Sequence, residues 1–232
     1  NKTVMKLGLI TYDTSHLKTE QLALRYNEDD RIEEVKIFAL PFQKRKKRKT
    51  MFSHRPNMSL SIPTKELAEL EKISFRKWDG GADVIADECD FFVIGGAGIL
   101  NIEFAKGKPI VNAHPGIIPI TRGLDSFKWA IYNGDPIGVT LHLIDSKVDM
   151  GEILSIKKTP VFLSDSLKSL SMRHYEIEIE MMANVIDVIE KRAVPEYEEK
   201  PATMRMNEAM EEDMIKKFEN WKKKYAISKK KA

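Results

Sequence analysis

The sequence is poor in cysteine and has no long hydrophobic run. Its one cysteine, Cys89, excludes an internal disulfide, and the apolar neighbours in ADECDFFVI indicate a core residue rather than a nucleophile. The uncharged stretch 91–102 is shorter than the roughly 18 to 20 apolar residues that a membrane-spanning helix requires. The N-terminal residues also lack the charged, apolar and small-residue succession of a secretory signal. We therefore expect a cytoplasmic protein without a membrane partner.

Several common ligand-binding motifs are missing as well. The first predicted strand leads into TYDTSHL instead of a Gly-x-Gly-x-x-Gly turn, which argues against a nicotinamide dehydrogenase. No Gly-x-x-x-x-Gly-Lys-Ser/Thr motif occurs, which argues against a P-loop nucleotide hydrolase. The histidines are scattered without the paired spacing of a zinc site, and they lie at His16, His54, His114, His142 and His174. We predict no metal site.

Positive charge is concentrated locally, although the overall charge is small. Lys and Arg number 38 against 35 Asp and Glu, so the net charge of +3 does not make the whole surface a trap for polyanions. The segments 43–50, QKRKKRKT, and 228–232, SKKKA, are strongly basic. They are interpreted either as solvated loops and ends or as phosphate-binding segments. A polyanion-binding module that uses them is a third reading, which the lack of interleaved aromatic residues disfavours.

Short apolar runs alternate with helix-forming segments over the first two thirds of the chain. Hydrophobic residues make up 42% of the sequence, enough to fill a sizeable core. Strands are predicted in MKLGLITY, IEEVKIFAL, FFVIGG, PIVNA and IGVTLHLID. Helices are predicted after Ser15, from Thr64, in ADVIADECD and GILNIEFAKG, and around DSFKWAIYNG, where Gly134 ends the helix. The pattern predicts an α/β protein with a Rossmann-like, doubly wound, mostly parallel sheet and a ligand site at the carboxyl ends of its strands.

The last third of the chain has a helical period. Apolar residues recur at three- and four-residue steps from Leu167 to Val188, and a second periodic set follows Asn207. We predict a catalytic domain over residues 1–163 and a helical C-terminal extension over residues 164–232. The extension packs either on the same domain or at the seam of a homodimer.

The stretch VNAHPGIIPITRG carries the chemistry-bearing residues. If PIVNA is a strand, Asn112 and His114 are two residues apart and point to the same side at its carboxyl end. Asp149, in the next strand and loop unit, can hydrogen-bond the imidazole and favour its charged form. An amide, an imidazole and a carboxylate suit acyl transfer to an amine. The isolated Asn-x-His pattern also fits a core histidine near a strand end.

The wider context of these residues resembles the 10-formyltetrahydrofolate-dependent formyltransferase family. The similarity rests on NAHPG, TRG, FKWAIYNG, GVTLH and VDMG, which occur in that order between residues 91 and 154. The resemblance implies that Asn112, His114 and Asp149 are catalytic and that His142 is a supporting or packing residue. It also implies 10-formyltetrahydrofolate as cosubstrate without a metal, with the pterin received by Ala97, Gly98, Ile99, Leu100, Asp145 and Val148.

Departures from the family's patterns narrow the choice of formyl acceptor. The chain lacks the glycine-rich first loop of the glycinamide ribonucleotide enzyme and has Gly116 where that enzyme has serine. The β-rich C-terminal domain of the methionyl-tRNA enzyme is replaced by predicted helices. The remaining pattern is most similar to bacterial N-formyltransferases that act on nucleotide-linked amino sugars for surface polysaccharides such as the O-antigen of lipopolysaccharide. An amino acid, a hydroxylamine or a peptide amine is the alternative acceptor.

A nucleotide-linked amino sugar needs cations for its diphosphate. Arg122, Lys44 and Arg45 are candidate phosphate ligands, and Gly116 is a candidate for the substrate site. Arg122 is alternatively a residue that ties down its own loop. Trp129 and Tyr132 are interpreted as packing residues on their helix rather than as a platform for the sugar. We expect reduced folate and the amino sugar as partners, and no nucleic acid.

Overall fold

The computed structural model describes residues 4–81, 85–145 and 151–227. These residues form a seven-stranded sheet in the order β3-β2-β1-β4-β5-β6-β7. The strands are β1 (Met5–Tyr12), β2 (Ile32–Leu40), β3 (Ser74–Lys77), β4 (Phe91–Ile94), β5 (Ile110–His114), β6 (Gly138–Leu143) and β7 (Ile153–Lys158). The first five strands pair in parallel, β3 with β2, β2 with β1, β1 with β4 and β4 with β5. The strand β6 runs antiparallel to β5, and β7 runs antiparallel to β6. The predicted α/β fold with a doubly wound, mostly parallel sheet is confirmed.

Five α-helices accompany the sheet within the described residues. They are α1 (Leu17–Asn27), α2 (Thr64–Glu71), α3 (Ser126–Asn133), α4 (Leu167–Ala183) and α5 (Glu208–Tyr225). The predicted helix after Asn207 is confirmed, and the Asn207 side chain caps it by accepting a hydrogen bond from the Met210 N–H at 2.9 Å. Gly134 ends α3 in the left-handed region, with φ at 75°, as the sequence predicts.

Several local predictions are wrong. The edge strands β3 and β7 are not foreseen, because most of their side chains are polar or exposed and the strands are held by backbone pairing. In their described residues, the segments predicted as short helices contain only single 3₁₀ turns, Ala86–Glu88 and Ile102–Ala105. Ser15 does not cap α1. His16 precedes that helix without a capping side chain, and Ser15 instead bridges to Pro63.

The strand β4 is buried on both faces of the sheet, which explains its wholly apolar sequence. Phe91 and Val93 belong to one hydrophobic cluster, while Phe92 and Ile94 belong to the cluster on the other face. Cys89 lies in the second cluster, where burial raises the pKa of its thiol to about 12. The thiol is therefore protonated and unreactive at neutral pH, as expected for a core residue.

The C-terminal helices pack against the rest of the chain. The helix α4 contacts α1 and the strands β5 and β6, and α5 contacts α3. The indole N–H of Trp221 on α5 donates to the carbonyl oxygen of Asp135 at 2.7 Å, just beyond α3. None of the helices in the described ranges has the length and apolar character needed to cross a membrane.

Gly123 packs directly against the backbone of Thr203. Gly123 has a φ of 88°, and a Cβ at this position would overlap the Thr203 carbonyl oxygen and lie 2.8 Å from the Thr203 nitrogen. We expect Gly123→Ala to lower the free energy of unfolding by about 3 kcal/mol, because it combines backbone strain with a clash against rigid backbone.

Gly134 offers a matched control for this substitution. It also has a positive φ, 75°, but apart from its own and the adjacent residues no heavy atom lies within 4 Å of the position that an alanine Cβ would occupy. We expect Gly134→Ala to lower the free energy of unfolding by only about 1 kcal/mol, from the left-handed backbone alone. Urea titrations of both variants measure the difference, and equal losses would contradict the assignment of a clash at Thr203.

Candidate active site

Two neighbouring antiparallel strands carry a row of polar side chains. Because side chains alternate along a strand, Asn112 and His114 lie on the same face of β5. On β6, His142 is the cross-strand partner of Asn112, and Thr140 is the partner of His114. His114, His142 and Thr140 are buried, whereas Asn112 is partly exposed. The strand register therefore assembles an amide, two imidazoles and a hydroxyl in one patch.

His142 orients the amide of Asn112. The Nδ1 of His142 lies 3.1 Å from the Leu143 carbonyl oxygen, which can only accept, so Nδ1 carries the proton. The Nε2 of the neutral ring then accepts a hydrogen bond from Asn112 Nδ2 at 3.2 Å. Since one amide hydrogen is used in this way, the second N–H of Asn112 can be donated to a ligand.

Hydrogen bonds at Nε2 also fix the orientation of the His114 imidazole. Its Nε2 lies 2.7 Å from the Thr121 carbonyl oxygen and 3.1 Å from Ser126 Oγ. The Ser126 hydroxyl donates to the Gly123 carbonyl oxygen, so it serves as an acceptor toward His114. Nε2 therefore carries the proton, and in the neutral ring Nδ1 is the basic nitrogen.

The loop after β5 wraps closely around His114. A Cβ on Gly116 would lie 2.9 Å from His114 Nε2 and 2.8 Å from the Thr121 carbonyl oxygen, so this close approach requires glycine. The Thr140 hydroxyl donates to the Gly116 carbonyl oxygen at 2.8 Å and accepts from the Ile118 N–H at 3.1 Å. Gly116 thus lies beside the imidazole that the sequence predicts to be catalytic, and its assignment to the substrate site stays a prediction.

His174 supports the same loop from α4. Its Nε2 lies 3.0 Å from the Pro115 carbonyl oxygen, and its Nδ1 lies 2.7 Å from Thr159 Oγ1. Burial lowers the pKa of His174 to about 4, so the ring is neutral and donates from Nε2. Sequence reasoning missed this contact because a histidine on the apolar face of a helix gives no sign of its distant partner.

The loop predicted to receive the pterin follows β4. Gly98, Ile99 and Leu100 line a pocket of about 520 Å³ together with Tyr12 and Phe42, and the Ile99 side chain is 97% exposed. Ala97 and Leu100 pack against the same hydrophobic cluster as Ile144, the residue before Asp145. The loop and the end of β6 are therefore joined through one cluster.

Three predicted residues or segments lie outside the described residues: Val148, Asp149 and the C-terminal SKKKA. The structure accordingly gives no position for the carboxylate that the sequence pairs with His114. Among the described residues, no group of three or more His, Cys, Asp and Glu side chains is arranged to hold a metal ion.

The predicted phosphate ligands differ in their surroundings. The guanidinium of Arg122 donates to Glu199 at 2.9 Å and to the Lys200 carbonyl oxygen at 3.0 Å, which ties its loop to residues 199–200. Lys44 and Arg45 lie in the exposed loop after β2, and Arg45 lines two clefts. Trp129 donates to the Met204 carbonyl oxygen at 2.6 Å and contacts Tyr132 edge to face, so both have packing partners.

Comparison with known sequences identifies the region that contains this patch. Residues 83–186 match a family described as Formyl transferase. Over 108 residues the chain is 33% identical to the methionyl-tRNA formyltransferase of Sulfurimonas denitrificans, which covers 46% of this chain and 36% of that protein. Over 83 residues it is 35% identical to the dTDP-4-amino-4,6-dideoxyglucose formyltransferase of Mycobacterium bovis, covering 36% of each protein. The chain thus matches only about a third of the length of these relatives.

Solved structures show the same fold at low sequence identity. A 4-N formyltransferase from Francisella tularensis superposes with a TM-score of 0.60 at 17% identity, covering 90% of this chain and 86% of that one. An N-formyltransferase from Helicobacter canadensis, in complex with folinic acid and dTDP-3-aminofucose, gives a TM-score of 0.60 at 14% identity. That superposition covers 93% of this chain and 81% of the Helicobacter chain. The fold extends well beyond the segment matched by sequence.

Proposed function

We propose that this chain, whose residues 83–186 match a formyl transferase family, transfers a formyl group from 10-formyltetrahydrofolate to the primary amine of a nucleotide-linked deoxyamino sugar. The observation that carries the proposal is the placement of Asn112 and His114 side by side on β5. Each side chain is held by a specific hydrogen bond, to His142 and to Thr121 respectively. Both residues lie inside the segment that matches the family.

The reaction forms a bond between the acceptor nitrogen and the formyl carbon and breaks the bond between that carbon and N10 of the folate. Attack by the amine places negative charge on the formyl oxygen. The second N–H of Asn112 is suited to stabilise this oxyanion, since its amide is already oriented by His142. The amine loses a proton to the basic Nδ1 of His114, and the imidazolium returns this proton to N10 of the leaving tetrahydrofolate. No bond to the protein is required.

Asp149 completes the proposed trio after Nδ1 of His114 has taken the proton: its carboxylate then accepts a hydrogen bond from Nδ1–H and favours the charged form of the imidazole. The pterin is assigned to Ala97, Gly98, Ile99 and Leu100, together with Asp145 and Val148. The exposed Ile99 and the pocket beside it support this assignment. The folinic acid in the Helicobacter canadensis complex supports a reduced folate as the donor.

The sugar acceptor is supported by the relatives that share the segment and the fold. The Mycobacterium bovis relative is named for a dTDP-linked amino sugar, and the Helicobacter canadensis structure holds one. We further propose that the reaction takes place in the cytoplasm and that its product enters a surface polysaccharide. An amino acid, a hydroxylamine or a peptide amine would use the same chemistry, and an assay with several acceptors distinguishes them.

The proposal is tested by incubating the purified chain with 10-formyltetrahydrofolate and a panel of amines. The panel contains nucleotide-linked 3-amino and 4-amino deoxysugars, glycinamide ribonucleotide, methionyl-tRNA, free amino acids and hydroxylamine. We expect mass spectrometry to show the gain of one formyl group only on a nucleotide-linked amino sugar. Formylation of another acceptor in its place would contradict the sugar assignment, and no formylation at all would contradict the transferase.

A further inference from the structure

A strongly basic cleft of about 620 Å³ lies between the loop after β2 and the beginning of α3. The loop contributes Arg45, Lys46, Arg48 and Lys49, and the opposite wall includes Asp125 and Lys128. We call this space the basic cleft. It contains four cations from a single exposed segment, whereas Lys44 and Lys47 of the same segment do not line it.

The charges that face the basic cleft do not cancel. Asp125, the one carboxylate among the described lining residues, is paired with Arg205 at 3.1 Å. Lys128 is paired with Glu211 at 2.8 Å, and Lys49 lies 3.7 Å from Glu208. Arg45, Lys46 and Arg48 form no ion pair with any described residue, so their positive charge is available to an anion in the cleft.

The basic segment is anchored at its C-terminal end. A carboxylate oxygen of the buried Glu211 on α5 accepts hydrogen bonds from the backbone N–H groups of Met51 at 2.6 Å and Phe52 at 3.4 Å. Just beyond, the His54 ring stacks on Phe127 of α3, with ring centroids 5.8 Å apart. These contacts hold the end of the segment against α3 and keep its cations beside the cleft.

The basic cleft adjoins the candidate active site. Asp125, in its wall, directly precedes Ser126, whose Oγ lies 3.1 Å from His114 Nε2. The proposal requires that an acceptor with its anionic group in the cleft reach the imidazole with its remaining part. A nucleotide-linked sugar is such a molecule, because a diphosphate lies next to the sugar that carries the amine.

We propose that the basic cleft binds the diphosphate of a nucleoside diphosphate or of a sugar linked to one. This inference rests on the proposed function, whose amino-sugar acceptor carries that group. Arg45, Lys46 and Arg48 supply charge-assisted hydrogen bonds to the phosphate oxygens. Asp125 and Glu211 stay with their cationic partners and do not oppose the anion.

The test measures binding directly, by isothermal titration calorimetry of the full chain with thymidine diphosphate and uridine diphosphate. Thymidine, inorganic phosphate and a random single-stranded oligonucleotide are titrated for comparison. We expect a diphosphate to bind and the nucleoside not to bind. An oligonucleotide that binds more tightly than every diphosphate, with affinity falling steeply with salt, would overturn the proposal in favour of a polyanion surface.

Adjacent lysines provide a matched pair of variants. Lys46 lines the basic cleft and Lys47 does not, although both are exposed. We expect Lys46→Gln to weaken diphosphate binding about tenfold, and the double variant Lys46→Gln/Arg48→Gln to weaken it further. Lys47→Gln, which removes the same charge from the same segment, is expected to change affinity less than about twofold. Equal effects of Lys46→Gln and Lys47→Gln would overturn the assignment to the cleft.

The diphosphate-binding proposal and the formyl-transfer proposal can be contradicted independently of each other. Calorimetry needs neither folate nor turnover, so diphosphate binding without formylation would contradict the proposed transferase and leave the cleft in place. Formylation of a nucleotide sugar with unchanged KM in Lys46→Gln/Arg48→Gln would overturn the cleft and leave the transferase in place. If both proposals hold, this double variant raises KM for the sugar and leaves kcat largely unchanged.

Discussion

Replacing His114 or Asn112 by alanine is expected to lower formyl transfer by about a hundredfold or more. His114→Ala removes the imidazole that we propose as the acceptor of the amine's proton. Asn112→Ala removes the amide whose second N–H is proposed to stabilise the oxyanion and whose first N–H donates to His142 Nε2 at 3.2 Å. Steady-state kinetics of the formylated sugar should show the loss in kcat, because both interactions act on the transition state.

Two further variants separate this chemistry from a general loss of structure. Asn133→Ala changes an exposed asparagine at the end of α3 and should leave turnover unchanged. His142→Ala keeps both proposed catalytic groups and removes the orientation of the amide, so we expect about a tenfold loss in kcat. Near-normal turnover in folded Asn112→Ala and His114→Ala would contradict the assignment of the site.

The placement of Asn112 and His114 on β5 could be predicted from the sequence because its signal is local. Two-residue spacing places Asn112 and His114 on one face of any strand, whatever lies beside it. The partner of Asn112 was not accessible in the same way. His142 comes opposite Asn112 only because β6 runs antiparallel to β5 in this register, and alternating apolar residues do not specify the direction or register of a strand.

Contacts between distant segments account for the rest of what the sequence did not predict. From the sequence, the basic segment 43–50 fits either a solvated loop or a phosphate site. The contact that fixes its position is with Glu211, about 160 residues away in the sequence, and no local pattern reveals it. Likewise, the helical period of α4 predicts packing but does not explain a glutamate on its buried side. Glu178 is only 1% exposed, and its position makes sense only with the cations that reach it from elsewhere in the chain.

Glu178 forms the centre of a buried ionic cluster between α4, α1 and the loop after β2. Its carboxylate is 3.2 Å from Lys18 Nζ on α1 and accepts two hydrogen bonds from the Arg55 guanidinium, at 2.8 and 3.2 Å. Burial alone would raise the pKa of Glu178, but Lys18 and Arg55 together hold it well below its usual value. The carboxylate is therefore ionised throughout the neutral range.

Glu178→Gln is expected to lower the free energy of unfolding at pH 7 by about 3 to 5 kcal/mol, because Lys18 and Arg55 are left without their buried counter-charge. Glu180→Gln on the same helix removes an exposed partner of Arg25 and should lower it by less than about 1 kcal/mol. Urea titrations of both variants at pH 7 provide the comparison.

The stabilisation by Glu178 also depends on pH. Because the folded-state pKa of Glu178 is depressed, its contribution to the free energy of unfolding is complete above the unfolded pKa of about 4.5 and is lost as the pH falls below it. The difference in free energy of unfolding between the native chain and Glu178→Gln should therefore shrink below pH 4.5. A small difference at pH 7 would show that the cluster does not stabilise the fold.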